Sequence, residues 1–373
     1  MRKEDTMTEN VKWVRLGDYI TQRREKNNGY DLPIRGVTRD GFIPPKQEDA
    51  DTSLYNVFYR NDFVFNPARM ELNSIYLNTE LDKAICSSLY EIFYVNNANE
   101  LLPEYLNLFI KRDEFARYCW YDAIGSARNY FRVANMQDIK IPLPPIDVQR
   151  ELVDTYNGLK SLAEQNEALI PRLSAVCQAY IVDCRAKFPS VPLGEYIELL
   201  DRRNSDGALT IADVQGISTD KCFIPTKANM DGVSVLSYKI VAPSEFVYVA
   251  DTSRRGDKMA LALNSSDKDI LVSSIYTVFR SINESILLPE YLFLLFNRPE
   301  FDRYTRFNSW GSARETFDWN EMCRVQIPLP PIDVQQAIVD VYHCMERAKQ
   351  IATTAREKLK TLCPALVQRA AHS

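Results

Sequence analysis

An internal duplication is the feature of this sequence that most constrains its fold. Residues 101–149 align without gaps on residues 287–335, with 27 identities in 49 positions. The shared stretches LLPEYL, GSAR and IPLPPIDVQ all recur at the same offset of 186 residues. The chain therefore contains one architecture twice rather than a single large domain.

The two copies diverge upstream of this region. LGDYI at 16–20 corresponds to LGEYI at 193–197, FIPPK at 42–46 to FIPTK at 223–227, and ICSSLY at 85–90 to LVSSIY at 271–276. Constant parts indicate a common frame or partner, and variable parts indicate two different targets.

Each copy begins with a mixed region of short strands and helices. Runs rich in β-branched and aromatic residues predict strands at 56–65, 90–95, 245–250 and 274–279. Segments 103–124 and 289–310 each start at a proline and predict paired short helices. The globular parts are thus predicted to be α+β.

A long helix with heptad spacing is predicted after each IPLPP segment. Asp147 and Asp333 lie near the two predicted N-termini, where a carboxylate complements the helix dipole. We expect Pro171 and Pro364 to kink or break the helices locally. The apolar seams are Leu152, Tyr156, Leu159, Ala163, Asn166, Ile170, Leu173, Cys177 and Tyr180 in the first, and Ile338, Val341, Met345, Ala348, Ala352, Ala355, Leu359, Leu362 and Leu366 in the second.

The economical way to bury two such narrow seams is an antiparallel coiled coil, a rod of roughly 60 Å for about 40 residues. Two copies joined in this way are expected to be related by a pseudo-two-fold axis, as the halves of a split DNA site are, with the rod setting their separation. A pseudo-dimeric scaffold would share this symmetry, and helices buried in separate domains are the alternative.

Composition limits the possible functions. Eight cysteines occur without C-x-x-C pairs beside only two histidines, which argues against a zinc site, and the cysteines are expected to be reduced in a cytoplasm. No apolar run approaches the roughly 20 residues that span a bilayer, so no membrane is expected. The net charge of -5 argues mildly against DNA binding, because affinity for DNA comes largely from cations that neutralise phosphates.

The order of variable region, PLPP, a glutamine four residues after it, and long helix, present twice, resembles the specificity subunit of type I restriction-modification systems. The resemblance covers essentially the whole chain, and the GSAR element is similar to a loop of that family. It implies target recognition domains at 1–146 and 189–332, each reading one half of a bipartite site in double-stranded DNA. It also implies spacer helices at 147–188 and 333–373 that dock methyltransferase (modification) subunits, with restriction subunits joining the complex and no cofactor.

Residues that could contact DNA are cations and amides in the variable stretches, since these side chains bind base edges and phosphates. The loop at 253–258 follows a predicted strand and is the sharpest candidate. The alternatives are that these charges only solvate loops, and that the GSAR arginines pair with nearby acids. The candidates are Arg23, Arg24, Lys26, Arg35, Arg39, Asn66, Arg69, Asn73 and Arg128 in the first copy, and Arg202, Arg203, Lys221, Lys227, Arg254, Arg255, Lys258 and Arg314 in the second.

Signatures of intrinsic catalysis are missing from the sequence. There is no N-P-P-Y-like tetrad, no P-loop and no glycine-rich turn for adenosylmethionine, and Gly accounts for only 12 of 373 residues. Asp138-Ile139-Lys140 has Arg324-Val325-Gln326 as its counterpart, so a catalytic carboxylate would stand in one copy only. We therefore expect a non-catalytic subunit. A type II system with one fused restriction-and-modification partner, or a non-DNA tandem scaffold, are the alternatives.

Overall fold

The computed structural model describes residues 12–45, 51–123, 130–252, 258–311 and 315–372, without the side chains of residue 123 and of 362–372. It divides into two compact units. The first unit comprises Met1–Asn166 with Gln350–Ser373, and the second comprises Glu167–Lys349. No described helix is both long enough and apolar enough to cross a membrane.

The first copy alternates short strands with three short helices before the first long helix. Strand β1 and the following turn at LGDYI bring Gly17 against the helix at 133–138, where a Cβ would lie 2.9 Å from Gln137 Cβ. The elements are β1 Lys12–Arg15, β2 Ile20–Arg23, β3 Gly36–Val37, β4 Phe42–Ile43, β5 Asn56–Tyr59, β6 Asp62–Phe65, β7 Ile75–Leu77, β8 Lys83–Cys86, β9 Glu91–Val95, α1 Pro103–Ile110, α2 Asp113–Ala123, α3 Val133–Asp138, β10 Lys140–Leu143 and α4 Ile146–Lys187.

The second copy repeats this order element by element. Gly194 stands where Gly17 does, and a Cβ there would lie 2.6 Å from Cys323 Cβ. The elements are β11 Ser190–Pro192, β12 Ile197–Leu200, β13 Gln215–Ile217, β14 Phe223–Pro225, β15 Lys239–Val241, β16 Phe246–Tyr248, β17 Leu261–Leu263, β18 Ile270–Val272, β19 Thr277–Ser281, α5 Pro289–Phe296, α6 Pro299–Phe307, α7 Trp319–Arg324, β20 Gln326–Pro328 and α8 Ile332–His372.

Sheet topology is the same in both copies. A four-stranded antiparallel sheet has the order β2-β9-β6-β7 in the first and β12-β19-β16-β17 in the second. Three two-stranded pairs accompany each sheet, β1-β10, β3-β4 and β5-β8 in the first and β11-β20, β13-β14 and β15-β18 in the second. The predicted α+β duplication is confirmed.

A stacked phenylalanine pair stands at the same place in each core. Phe63 and Phe93 lie with ring centroids 4.8 Å apart, and Phe246 and Phe279 lie 4.9 Å apart. All four side chains are fully buried. The variable strands therefore keep an invariant aromatic centre.

The glutamine of each IPLPPIDVQ stretch joins the start of a long helix to its globular domain. Gln149 Oε1 accepts from the amide of Leu102 at 2.8 Å, and its Nε2 donates to the carbonyl oxygens of Glu100 and Pro144. Gln335 makes the three equivalent bonds to Leu288, Ile286 and Pro330. The duplicated residues thus build a frame that orients each helix on its domain.

Both long helices extend across the boundary between the two units. Helix α4 begins in the first unit and ends in the second, and α8 does the reverse, as predicted for an antiparallel coiled coil. The structure places Ala163, Cys177, Ala348, Ala352 and Ala355 at buried seam positions. Small side chains at these positions allow close approach of a neighbouring helix.

The structure shows no break at either proline, and one predicted seam position differs. Helix α4 continues through Pro171 from Ile146 to Lys187 without a break, and α8 is continuous past Pro364. The first seam ends on Ile181 and Cys184, while Tyr180 is 50% exposed. The side chains of Leu362 and Leu366 lie outside the described residues.

Candidate nucleic-acid interface

A buried acid at the start of a central strand holds an arginine in each domain. Asp62 is 1% exposed and accepts from the amide of Tyr59 at 2.8 Å, while Arg23 Nε donates to it at 2.6 Å. Glu245, just before β16, accepts from the amide of Ala242 at 2.8 Å and from Arg202 Nη2 at 2.5 Å. Arg23 and Arg202, both predicted to contact DNA, are therefore each paired with a carboxylate of their own domain.

The two arginines differ in how much they leave exposed. The guanidinium of Arg23 lies between the rings of Tyr59 and Tyr94, 4.7 and 4.6 Å from their centroids, with 25% of the side chain exposed. Burial raises the pKa of Asp62 above its ordinary value even though Arg23 opposes the shift. The side chain of Arg202 is 47% exposed, so it is the more accessible of the pair.

Lys26 and Arg203 occupy equivalent positions in the two domains. Lys26 Nζ donates to the Leu54 carbonyl oxygen at 3.0 Å, and Arg203 Nη1 donates to the Ser237 carbonyl oxygen at 3.2 Å. Each precedes a buried asparagine, Asn27 or Asn204, that holds the following loop. Both cations are exposed, and Arg203 also pairs with the Asp201 carboxylate at 3.1 Å, so the two domains place a cation at the same loop with different partners.

The second domain has a polar cleft beside the β13-β14 hairpin. Its volume is about 630 Å³, and it is lined by hydroxyl, amide and tyrosine groups with one cation. Lys227 is exposed on its rim, and Ile275, 77% exposed, projects from the opposite loop. Gln215 and Tyr238 contribute the amide and a phenol. Such groups can form hydrogen bonds and apolar contacts with base edges.

Arg35 stands in the first domain where Gln215 stands in the second. The neighbouring glycines are in the same register, with Gly36 opposite Ile43 and Gly216 opposite Ile224. Arg35 is half-buried, and Nη1 donates to the Ile34 carbonyl oxygen at 2.9 Å. The same hairpin therefore offers a guanidinium in one domain and an amide in the other.

Three further candidates lie at the surface of the first domain. Arg24 is exposed and contacts Gln22 at 2.8 Å. Arg69 is exposed on the turn that leads to β7. Asn66 is half-buried, and its Oδ1 accepts from the amide of Ala68 at 3.1 Å, so it shapes that turn.

Two candidates lie in the interior. Asn73 is 1% exposed, has a φ of 53° and donates from Nδ2 to the Ile110 carbonyl oxygen at 2.8 Å. Lys221 is 5% exposed, and its Nζ lies 2.6 Å from Asp302 Oδ1. Since a buried ammonium needs a paired carboxylate, Lys221 is explained by packing, and neither side chain is accessible to DNA here.

Arg39 and Lys258 lie at the surface beside acids. Arg39 Nη2 donates to Asp113 Oδ1 at 3.0 Å, and Lys258 Nζ lies 4.0 Å from Asp220 Oδ1. Exposed pairs of this kind contribute little to stability, so both cations could exchange their partners for phosphates. The candidates Arg128, Arg254, Arg255 and Arg314 lie outside the described residues.

Sequence reasoning missed four side chains that shape these surfaces. Tyr59 and Tyr94 enclose Arg23, Gln215 lines the cleft, and Ile275 projects beside it. The alignment of RGV at 35–37 with QGI at 215–217 could have identified Gln215. The described residues contain no group of three or more His, Cys, Asp or Glu side chains that could hold a metal ion.

Comparison with known families gives a match in the second half of the chain. Residues 229–361 match the family model described as type I restriction modification DNA specificity domain. This stretch of the chain is therefore similar to a type I restriction modification DNA specificity domain. This match confirms the resemblance stated from the sequence, and it covers most of the second copy together with the first part of α8. A comparison with curated proteins found no match.

Two solved structures of specificity subunits are similar to this chain over nearly their whole length. The type I restriction-modification system S subunit from M. genitalium is 12% identical, with a TM-score of 0.59 over 99% of each chain. The HsdS subunit from Thermoanaerobacter tengcongensis is 17% identical, with a TM-score of 0.48 over 99% of this chain and 98% of that one. The first of these likenesses supports the tandem fold with long helices.

Proposed function

We propose that this chain is the DNA-sequence specificity subunit of a type I restriction-modification complex. In this proposal each domain reads one half of a bipartite site, and the chain itself performs no chemistry. The recognition domains are 1–146 and 189–332, and the spacer helices are 147–188 and 333–373. A cytoplasmic location is part of the proposal.

One observation carries the proposal. The two domains share the same backbone frame but display different side chains at the equivalent hairpin position. Gln149 and Gln335 make identical bonds, whereas the hairpin residue is Arg35 in one domain and Gln215 in the other. Arginine pairs with guanine, and glutamine pairs with adenine, in the major groove. A duplicated scaffold with a changed base-reading side chain is what two half-sites of different sequence require.

Phosphate contacts would come from exposed cations near these hairpins. Lys227 on the cleft rim and the equivalent pair Lys26 and Arg203 are suited to this role. Exposed cations of this kind within each domain are how a chain with a net charge of -5 can bind DNA.

The helices are proposed to dock methyltransferase subunits, with restriction subunits joining the complex. Helix α4 carries Leu162, Leu169 and Val176 at every seventh position, outside the buried seam, and each is 40–43% exposed. A repeated exposed apolar row on a helix is typical of a protein-binding face. A fused restriction-and-modification polypeptide could use the same face, and co-purification would distinguish the two partners.

The decisive experiment exchanges residues 189–332 for the equivalent domain of another specificity subunit. Co-expressed with its methyltransferase, the chimera should change only one half of the methylated sequence, as determined by methylome sequencing. A change in both halves would contradict the modular proposal. Phosphate contacts weaken steeply with salt, so a DNA-reading complex should be retained on DNA at low salt and released as salt rises. If the intact complex shows no such retention, the non-DNA scaffold is favoured instead.

A further inference from the structure

The second unit contains a small pocket on a different set of elements from the candidate DNA cleft. It has a volume of about 230 Å³ and lies between the α5-α6 corner, strand β20 and the end of α4. Its walls are mainly apolar and include Phe296, Phe301 and Ile327. Two arginines, Arg185 and Arg298, line it as well.

Arg298 is buried in this pocket, and its guanidinium has fewer hydrogen-bond acceptors than donors among the described residues. The residue is 5% exposed, and neither Nε nor Nη1 has a hydrogen-bond acceptor among the described residues. Its remaining nitrogen, Nη2, lies 3.4 Å from Glu300 Oε2, and Glu300 is shared with Arg303 at 3.5 Å. The pocket therefore holds more cationic donors than the chain satisfies.

The equivalent arginine of the first domain, Arg112, has both a hydrogen-bond acceptor and a stacking ring. Arg112 donates from Nε to the Phe109 carbonyl oxygen at 3.3 Å, and its guanidinium lies 4.1 Å from the centroid of the Phe109 ring. In the second domain the ring is replaced by Leu295, which lines the pocket. The replacement removes the stacking partner and leaves space beside Arg298.

Leaving a guanidinium buried and underpaired is costly, since its charge is desolvated without compensation. Burial lowers the pKa of Arg298 below its ordinary value, and Arg185 lowers it further. Glu300 opposes the shift. An anion in the pocket would pair with both arginines and offset this cost.

We propose that this pocket binds the carboxylate of an organic acid that has an apolar stem. Arg298 and Arg185 pair with the carboxylate, and the apolar walls cover the stem. A guanidinium presents several donors suited to a carboxylate, and a mainly apolar lining favours such an acid over free phosphate, which keeps its charged oxygens in water. The proposal does not depend on DNA reading.

The test titrates the full chain with benzoate, using benzamide as the neutral match, and follows binding by ligand-observed NMR. Benzoate should bind and benzamide should not. Arg298→Gln should weaken benzoate binding on the order of 10-fold to 100-fold, the range for losing a charge-assisted bond. Arg112→Gln, the matched change in the first domain, should leave binding unaltered.

Two further variants keep the proposal testable if Arg298→Gln folds poorly. Arg185→Gln alters an exposed helix residue and should weaken benzoate binding several-fold. Leu295→Phe restores the ring that Arg112 uses and should reduce binding while keeping both charges. Benzoate binding that survives Arg185→Gln and Leu295→Phe unchanged would overturn the proposal.

The source of the carboxylate is resolved by a second pair of probes. A short peptide with an apolar last residue and a free C-terminus is compared with its C-terminal amide. Tighter binding of the free peptide than of benzoate indicates a protein terminus, and weaker binding indicates a small acid. Binding of inorganic phosphate in place of benzoate would overturn the carboxylate assignment.

Discussion

The first and second domains have the same interior and different surfaces. Phe63 and Phe93 stack as Phe246 and Phe279 do, and both long helices are held by a glutamine with three identical bonds. At the hairpin, by contrast, Arg35 has become Gln215. The comparison shows that the duplicated frame is independent of the side chains it displays.

If the two phenylalanine pairs are equivalent, removing a ring from either should lower the stability of its domain by a similar, large amount. Phe93→Ala and Phe279→Ala should each destabilise their own domain by about 3–5 kcal/mol, the usual cost of removing a buried phenyl ring. Hydrogen exchange of each domain's amides under increasing urea measures the loss separately. Leu89→Ala, at a side chain that is 71% exposed, is the control. A large loss in one domain only would contradict the equivalence.

Gln149 and Gln335, which hold the long helices on their domains, provide a second test of whether the two domains share one frame. Gln149→Ala and Gln335→Ala should each cost about 2–4 kcal/mol, because each leaves one amide and two carbonyl groups without their buried partner. Gln165→Ala, on the exposed face of α4, should change little. Urea unfolding monitored by hydrogen exchange near each helix start would reveal unequal costs, which would mean that the frame differs between domains.

A half-buried lysine, Lys111, is a further difference between the two domains. Lys111 donates from Nζ to the Ile75 carbonyl oxygen at 3.0 Å, and burial lowers its pKa from 10.5 to about 8; the second domain has Asn297 there. Between these values the unfolded lysine holds a proton that the folded one has released, so stability rises with pH. Relative to Lys111→Asn, the first domain should gain about 2–3 kcal/mol from pH 8 to 10.5.

This difference is measured from urea unfolding of the parent and Lys111→Asn chains at each pH. Other groups that titrate in this range are common to both chains, so their contributions cancel. Asn297→Asp is the corresponding control in the second domain and should leave the pH dependence of the first unchanged. Parallel pH profiles for parent and Lys111→Asn would show that the folded lysine keeps its ordinary pKa.

The duplication and the heptad seams could be predicted because identities and apolar periods are local properties of the sequence. The burial of Lys221 could not, because its partner Asp302 is 81 residues away and comes close only in the fold. Similarly, Arg23 is indistinguishable in sequence from exposed Arg24, yet it lies between two tyrosines. Composition identifies cations that could bind phosphate, whereas tertiary contacts decide which of them remain available.

The smallest expected effect comes from exchanging the hairpin residue, which tests the surface difference between the domains directly. Arg35→Gln gives the first domain the hairpin residue of the second, and it should alter recognition by about 1–3 kcal/mol at one base pair. Because the frame is unchanged, the other half-site and the folding stability should stay as they are. Methylome sequencing with the methyltransferase partner measures the change, and Gln215→Arg is the reciprocal variant. If the two variants relaxed the same half-site, the domains would not read separate targets, and the surface difference between them would need another explanation.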